Sequence, residues 1–475
     1  MKILVGIANY GTQNDDYLRR LIAEYRGMDH RVDLVVFSNL KKELGAGVEL
    51  IVGLPARNPW SLPFSHKKVF AERADKYDLF LYSEDDILVS QRNIEAFLQA
   101  TQALPSNEIA GFLRIEVGPD GRRYFADIHS HFHWDPASVC RRGEYTCAYF
   151  SNEHSACYLL TQKQLKQAIE SGGYLTEPYE SKYDMLVTAA TDPYVNCGMR
   201  KMICISHLED FLVSHLSNKY VGRMGLEESE VRLQLEALRA ISRGERAPTK
   251  LLQVETTVLH QRWSKYFHES CNPEVLKLVP EAASNVLSVG CGLGLTEHAL
   301  IKRGARVVGL PLDSVIARCS EAKGVNVVLS ELNTVPRNFN GHRFDCILLL
   351  DVLHLLPDPV SALGSIAQLL AWGGRIVIGS PNFSYLPYVW RRTRRDPQFA
   401  KLSSYNAAGL HATTRLMVRR WFAQCGLKTE KIVNVVPERW QKLKGIFGGL
   451  TDMLFGSEML AVGTKIQRAC QHSET

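Results

Sequence analysis

The chain has 475 residues, about three times the length of a usual domain, so two or three domains are expected. Hydrophobic residues at 45% and charged residues at 22% argue against a disordered or fibrous chain, and a net charge of +6 is too small to imply a nucleic-acid partner. No apolar run nears the roughly 18 residues that span a bilayer, and eleven cysteines without a CxxC pair suit a reducing cytosol better than a disulfide framework or a zinc site.

The opening MKILVGIANYGT reads as a first β-strand and not as a signal peptide. From Met1 to about Val221, strand-like segments (KILVGIA, RVDLVVFS, DLFLYS) alternate with helical ones, the rhythm of parallel strands covered on both faces. The strand Leu79 to Tyr82 runs almost directly into Glu84, Asp85 and Asp86. Adjacent acids repel one another unless solvent or a cation screens them, and open α/β sheets bind ligands at the carboxyl ends of their strands. Hard ions such as Mg²⁺ or Mn²⁺ take carboxylate oxygens and bridge to diphosphates. The plainer alternative is a solvated turn before the helix SQRNIEAFLQATQAL, capped by Ser90.

Further on, DIHSHFHWDP sets His129, His131 and His133 at alternate positions, which on a strand face one side. With no HExxH or cysteine nearby, this reads as a polar strand running into Trp134 and not as a zinc site. Glu153 stands before the apolar run ACYLLT, and Asp184 follows Glu180 by one helical turn. The strand order, the acid cluster and these later residues resemble the nucleotide-sugar half of GT-A glycosyltransferases over residues 1–223. The resemblance implies that Glu84, Asp85 and Asp86 form a DxD-like cluster holding a divalent metal (Mn or Mg) that carries the donor diphosphate. It also implies that His215 completes the metal shell, that Asp184 takes the acceptor proton if the reaction inverts, that the histidine strand faces the acceptor with Trp134 as a sugar-stacking ring, and that Glu153 is a second acceptor-side carboxylate.

Residues 224–264 read as a linker, with an amphipathic helix ending near Gly244 and Pro248. A second α/β rhythm then begins with NVLSVG and continues through RVVGL, NVVLS, FDCILLLD and GGRIVIGS. NVLSVGCGLGLTE places Gly290, Gly292 and Gly294 where a strand turns into a helix, and glycine lets backbone approach a ligand closely. The GxGxG spacing, with Leu295 where a dinucleotide fingerprint wants its third glycine, argues against NAD.

This stretch, with FDCILLLDVLHLLPDP, LLAWGGRIVIGSPN and WFAQCGLKTEKI following in order, resembles class I methyltransferases that use S-adenosylmethionine (SAM). The resemblance implies that Gly290, Cys291, Gly292 and Gly294 flank the methionine moiety, that Glu331 sits beside the adenine, and that Asp351 lies near the cofactor. Where the family usually has an acid for the ribose hydroxyls, this chain has Pro311, so Asp313 is expected to reach back. His354, just past the fourth strand, and His411 are candidates for removing a hydroxyl proton, as neutral imidazoles do near pH 7.

Near the C-terminus, Arg391, Arg392, Arg394 and Arg395 cluster beside aromatics, and WQKLKGIFGGLTDMLFGSEML pairs basic with apolar residues, a make-up that suits an anionic lipid surface. The fold expected is α/β, with a GT-A-like domain (1–223) and a methyltransferase domain (265–475), both Rossmann-like, joined by the helical linker. The function expected is a cytoplasmic glycan-modifying enzyme, peripheral to the membrane. It would transfer sugar from a nucleotide-sugar donor to a glycan or lipid-linked glycan and O-methylate a sugar hydroxyl. The alternatives are a methyltransferase with a non-catalytic carbohydrate-binding domain, or a glycosyltransferase on a degenerate methyltransferase scaffold. Nucleic acid is not an expected substrate, because LDVLH stands where an NPPY-like signature would be.

Overall fold

The computed structural model describes residues 1–335, 339, 341–441 and 449–466. The chain divides into two units, Met1–Glu245 and Arg246–Thr475.

In the first unit the strand Lys2–Asn9 is buried along nearly its whole length, as expected of a central parallel strand covered on both faces. The order across its sheet is Cys157–Thr161, Leu79–Glu84, Lys2–Asn9, Arg31–Ser38, Val48–Val52. All pairs are parallel except the first, where Cys157–Thr161 runs antiparallel. Helix Asp15–Arg26 buries Leu18, Leu21, Ile22 and Tyr25, one face at helical spacing. Helix Gln91–Ala103 starts at Ser90, which forms a reciprocal capping box with Asn93. Two further sheets complete the unit, and strands Leu113–Val117 and Leu212–His215 lie side by side in one of them.

The second unit is built on a seven-stranded sheet in the order Asn326–Val327, Arg306–Pro311, Asn285–Cys291, Phe344–Leu350, Leu370–Pro381, Glu458–Lys465, Leu427–Val435. Glu458–Lys465 runs antiparallel to both neighbours, and the other pairings are parallel. Helix Pro359–Ala367 has Asp358 as cap and proline in its first turn, and Arg415–Gln424 is capped by Thr414.

The region read as a linker is shared between the units. Its helix forms over Glu228–Ser242 and stops at Gly244, whose φ is 74°. Val231, Leu235 and Leu238 of that helix are buried, and it packs on strands of the first unit, while residues 246–264 belong to the second. No helix among the described residues is long and apolar enough to cross a membrane. Residues 442–448 of the basic and apolar tail lie outside the described residues.

Candidate functional site

In the second unit the strand Asn285–Cys291 turns through Gly290–Gly294 into helix Leu295–Lys302. Gly290 and Gly294 have φ of 79° and 80°, where a side chain is strained. A Cβ at Gly292 would stand 2.1 Å from the Phe267 carbonyl oxygen, and that oxygen accepts the Leu293 N–H at 3.0 Å. At Gly290 it would meet Val352 at 2.6 Å. The sequence reading gave these glycines to a ligand; in the structure the chain's own packing already requires them. Cys291 between them is buried, and its carbonyl accepts the Leu312 N–H at 3.1 Å.

The next strand ends at Pro311, and Asp313 follows two residues later. Its Oδ1 accepts the Val315 and Ile316 N–H groups at 2.7 and 2.8 Å, so it caps its own turn. The edge beyond Pro311 carries an extra rung. Leu251 N–H donates to the Leu312 carbonyl at 2.9 Å, and Ser314 N–H donates to Thr249 at 3.0 Å, around an antiparallel Lys250–Asp313 bridge. Leu251 is buried, and its carbonyl accepts the Leu332 N–H. Lys250 and Leu251 then line a cavity of about 600 Å³ together with Glu331, Leu332, Leu356 and Asp358. Asp351 follows the strand Phe344–Leu350 at φ 53°, a backbone state rare outside glycine that recurs at ligand sites.

A charge cluster beside the glycine turn went unread in the sequence. Buried Lys265 lies 2.5 Å from Glu269, and Ser288 donates to Glu297 at 2.6 Å. Burial, offset by Lys265, pushes Glu269 up to about 7. Burial also pulls Lys265 down, but Glu269 and Asp351 outweigh it and raise that amine. The i,i+4 spacing in KYFHE was the available signal. His354 is fully buried, its Nε2–H donates to the Trp263 carbonyl at 2.9 Å, and its Nδ1 has no partner. Burial lowers its pKa and holds it neutral near pH 7. His411 has its Nε2 on the Leu356 carbonyl at 3.0 Å and its ring stacked on Tyr405.

In the first unit the three acids diverge. Asp85 accepts from Asn9 and Asn14, both at 2.7 Å, and burial pushes it up to about 6. Burial raises Glu84 further, to about 8, and its Oε1 has no hydrogen-bond partner. Asp86 Oδ2 lies 3.0 Å from His215 Nε2, and His215 Nδ1–H donates to Glu116 at 2.5 Å. Burial by itself would raise Asp86 and lower His215. Their mutual bond, with Glu116 on the far side, outweighs it, so the acid lies below and the imidazole above its usual range. The predicted metal set Glu84, Asp85, Asp86 and His215 therefore reduces to one contact, Asp86 with His215. Among the described residues no group of three or more His, Cys, Asp or Glu side chains converges to hold a metal ion. The donor set present does not fit a divalent metal caged by the protein alone.

The acceptor-side residues also fall elsewhere. Glu153 accepts from Tyr149, from Tyr183 at 2.7 Å and from Lys182 at 2.8 Å, so both carboxylate oxygens are engaged within the fold. Asp184 caps helix Met185–Val195 through the Val187 N–H. The histidine run is a loop and not a strand, with Ser130 at φ 55°, so its alternation has no common face. Trp134 is buried against Phe150, which removes it as a stacking platform.

The family described as a methyltransferase domain matches residues 287–378, which fall in the second unit. A ubiquinone biosynthesis O-methyltransferase of Coxiella burnetii (strain RSA 493 / Nine Mile phase I) is 28% identical over 127 residues, 25% of this chain and 54% of that protein. A protein of the same description from Vibrio cholerae serotype O1 (strain M66-2) is 28% identical over 129 residues, 25% of this chain and 53% of that one. The chain thus spans about half the length of the curated relatives it matches. A solved SAM-dependent methyltransferase from Archaeoglobus fulgidus is 17% identical, covering 40% of this chain and 90% of that one at a TM-score of 0.31, too low to bear on the fold. Residues 287–378 of the second unit are thus similar to a methyltransferase domain.

Proposed function

We propose that the chain is a SAM-dependent O-methyltransferase. The observation that carries this reading is the family match over residues 287–378, laid on a sheet whose glycine turn, cavity and strained Asp351 stand at one edge. A cavity of about 600 Å³ beside Glu331 has room for the adenosyl group, so the residues fit the cofactor on that side. The main chain of Gly290–Gly294 and the Glu331 carboxylate would hold it, and bound SAM supplies an electrophilic methyl group. Pro311 offers no carboxylate for the ribose, and that edge is lined by the Thr249–Leu251 rung.

The chain's own contribution is placement and one proton. In-line positioning supplies much of the rate of a group transfer. The Nε2–H of His354 is committed to Trp263, so Nδ1 is the atom left to take the hydroxyl proton, a step for which the fully buried ring has to be uncovered. The test is calorimetric titration of the full chain with SAM, followed by label transfer from methyl-labelled SAM to hydroxylated acceptors. Binding in the range of about 1 μM to 1 mM is expected. No heat even at millimolar ligand would sink the reading and leave the unit a scaffold.

A second reading keeps nucleotide-sugar transfer to a glycan hydroxyl in the first unit, with O-methylation of that sugar in the second. It is favoured by the antiparallel Cys157–Thr161 strand flanking the acid-bearing one, and by the Asp86–His215 contact at that strand's end. Release of nucleoside diphosphate from a panel of nucleotide sugars, abolished in Asp86→Ala, is the expected outcome. Silence across the panel together with no donor binding would leave the first unit an appended module.

A further inference from the structure

Helix Leu386–Thr393 follows the strand Leu370–Pro381, at the same sheet edge as the glycine turn. Its inner side is anchored by rings. Tyr388 packs on Trp263, Phe383 and Phe399, and Arg391 is held by Asp396 at 2.7 Å and Gln398 at 2.9 Å. Its outer side has the reverse composition. Leu386, Val389 and Trp390, at i, i+3 and i+4, are 42%, 40% and 53% exposed, so these neighbouring apolar side chains present about half their surface to water. Around it stand Arg392, Arg394 and Arg395, all exposed, with the Arg394 guanidinium 3.7 Å over the Trp390 ring. Among the described residues, Arg391 is the only one of these four arginines in an ion pair, and Asp396, the acid within the segment, is the partner it has taken.

We propose that this face docks on an anionic lipid bilayer, with Leu386, Val389 and Trp390 entering the headgroup boundary and the three arginines on lipid phosphates. The charge decides the occupant. A second copy of the chain meeting this face about a two-fold axis would set arginines against arginines. A nucleic acid would satisfy the arginines but leave the apolar triplet in water. An anionic membrane surface takes both, since a basic, Trp-bearing helix face is what lies in that interface. The inference stands apart from the methyltransferase reading, because docking needs no cofactor and no turnover.

The experiment is co-sedimentation of the full chain with phosphatidylcholine vesicles, with and without phosphatidylglycerol. It is repeated for the R392E/R394E/R395E triple variant and for L386S/W390S, with thermal melts to confirm that each variant stays folded. Binding to the anionic vesicles is expected, falling roughly tenfold or more in the charge variant, since each basic residue near the surface contributes. The apolar variant is expected to bind several-fold more weakly while keeping its preference for anionic lipid. Equal binding to both vesicle types overturns the proposal, as does anionic binding that ignores Leu386 and Trp390. Self-association of the unmixed chain that depends on Trp390 assigns the face to a second copy and also overturns it.

Discussion

An alanine Cβ at position 292 would meet the Phe267 carbonyl at 2.1 Å, so Gly292→Ala has to move backbone and not the end of a side chain. Overpacking of this kind typically destabilises by about 1–3 kcal/mol, read as a lower Tm with or without SAM. His66 sets a second expectation. It is fully buried between the Pro63 carbonyl and the Tyr158 hydroxyl, and burial followed by the Lys67 charge depresses its pKa well below 6.5. A depressed imidazole favours the native state above its unfolded value, and that contribution is lost as pH falls through the folded value. Stability measured in denaturant is therefore expected to drop below pH 6.5 in part through His66, and His66→Gln is expected to flatten the slope by up to about 1.4 kcal/mol per pH unit. An unchanged slope would show that the native state admits the proton. Sequence located the glycine turn, because a strand, a GxGxG run and a helix are local signals. It did not foresee Asp313 capping its own turn or Glu153 engaged by three donors, because those partners are set by a bend and by distant contacts.

At the level of elements, strands with continuous apolar runs were legible, and so was the helix stopped by Gly244. The histidine run shows the limit. Alternation implies one face only where the backbone is extended, and Ser130 in the left-handed region breaks it. The Thr249–Leu251 rung was equally hidden, since Leu312 and Ser314, which bond it, lie some sixty residues away in sequence. Replacing Leu251 by proline removes the N–H that the Leu312 carbonyl accepts. The expected loss is about 1–3 kcal/mol, the penalty for leaving a buried acceptor unmet, and it is measurable as a lower Tm or as faster amide exchange at Leu332 and Ser314. Exchange unchanged at both positions would mean that the edge stands without the rung.

For the whole molecule, the division falls between Glu245 and Arg246. A fragment beginning at Arg246 is expected to be soluble and to melt cooperatively. One beginning at residue 265 would lose buried Leu251, Val254 and Val258 and is expected to aggregate or melt lower. Equal melts would show that those residues add nothing. The two α/β rhythms were legible because each restarts from an apolar strand, whereas the seam was not, because residues 246–264 look like a connector and fold as part of a sheet edge. This limits how the chain can be recombined. With helix Glu228–Ser242 packed into one unit and the rung from Thr249 into the other, a chimaera that exchanges either half has its junction confined to the stretch from Arg243 to about Pro248, and a graft joined further on would carry off a piece of its neighbour's architecture.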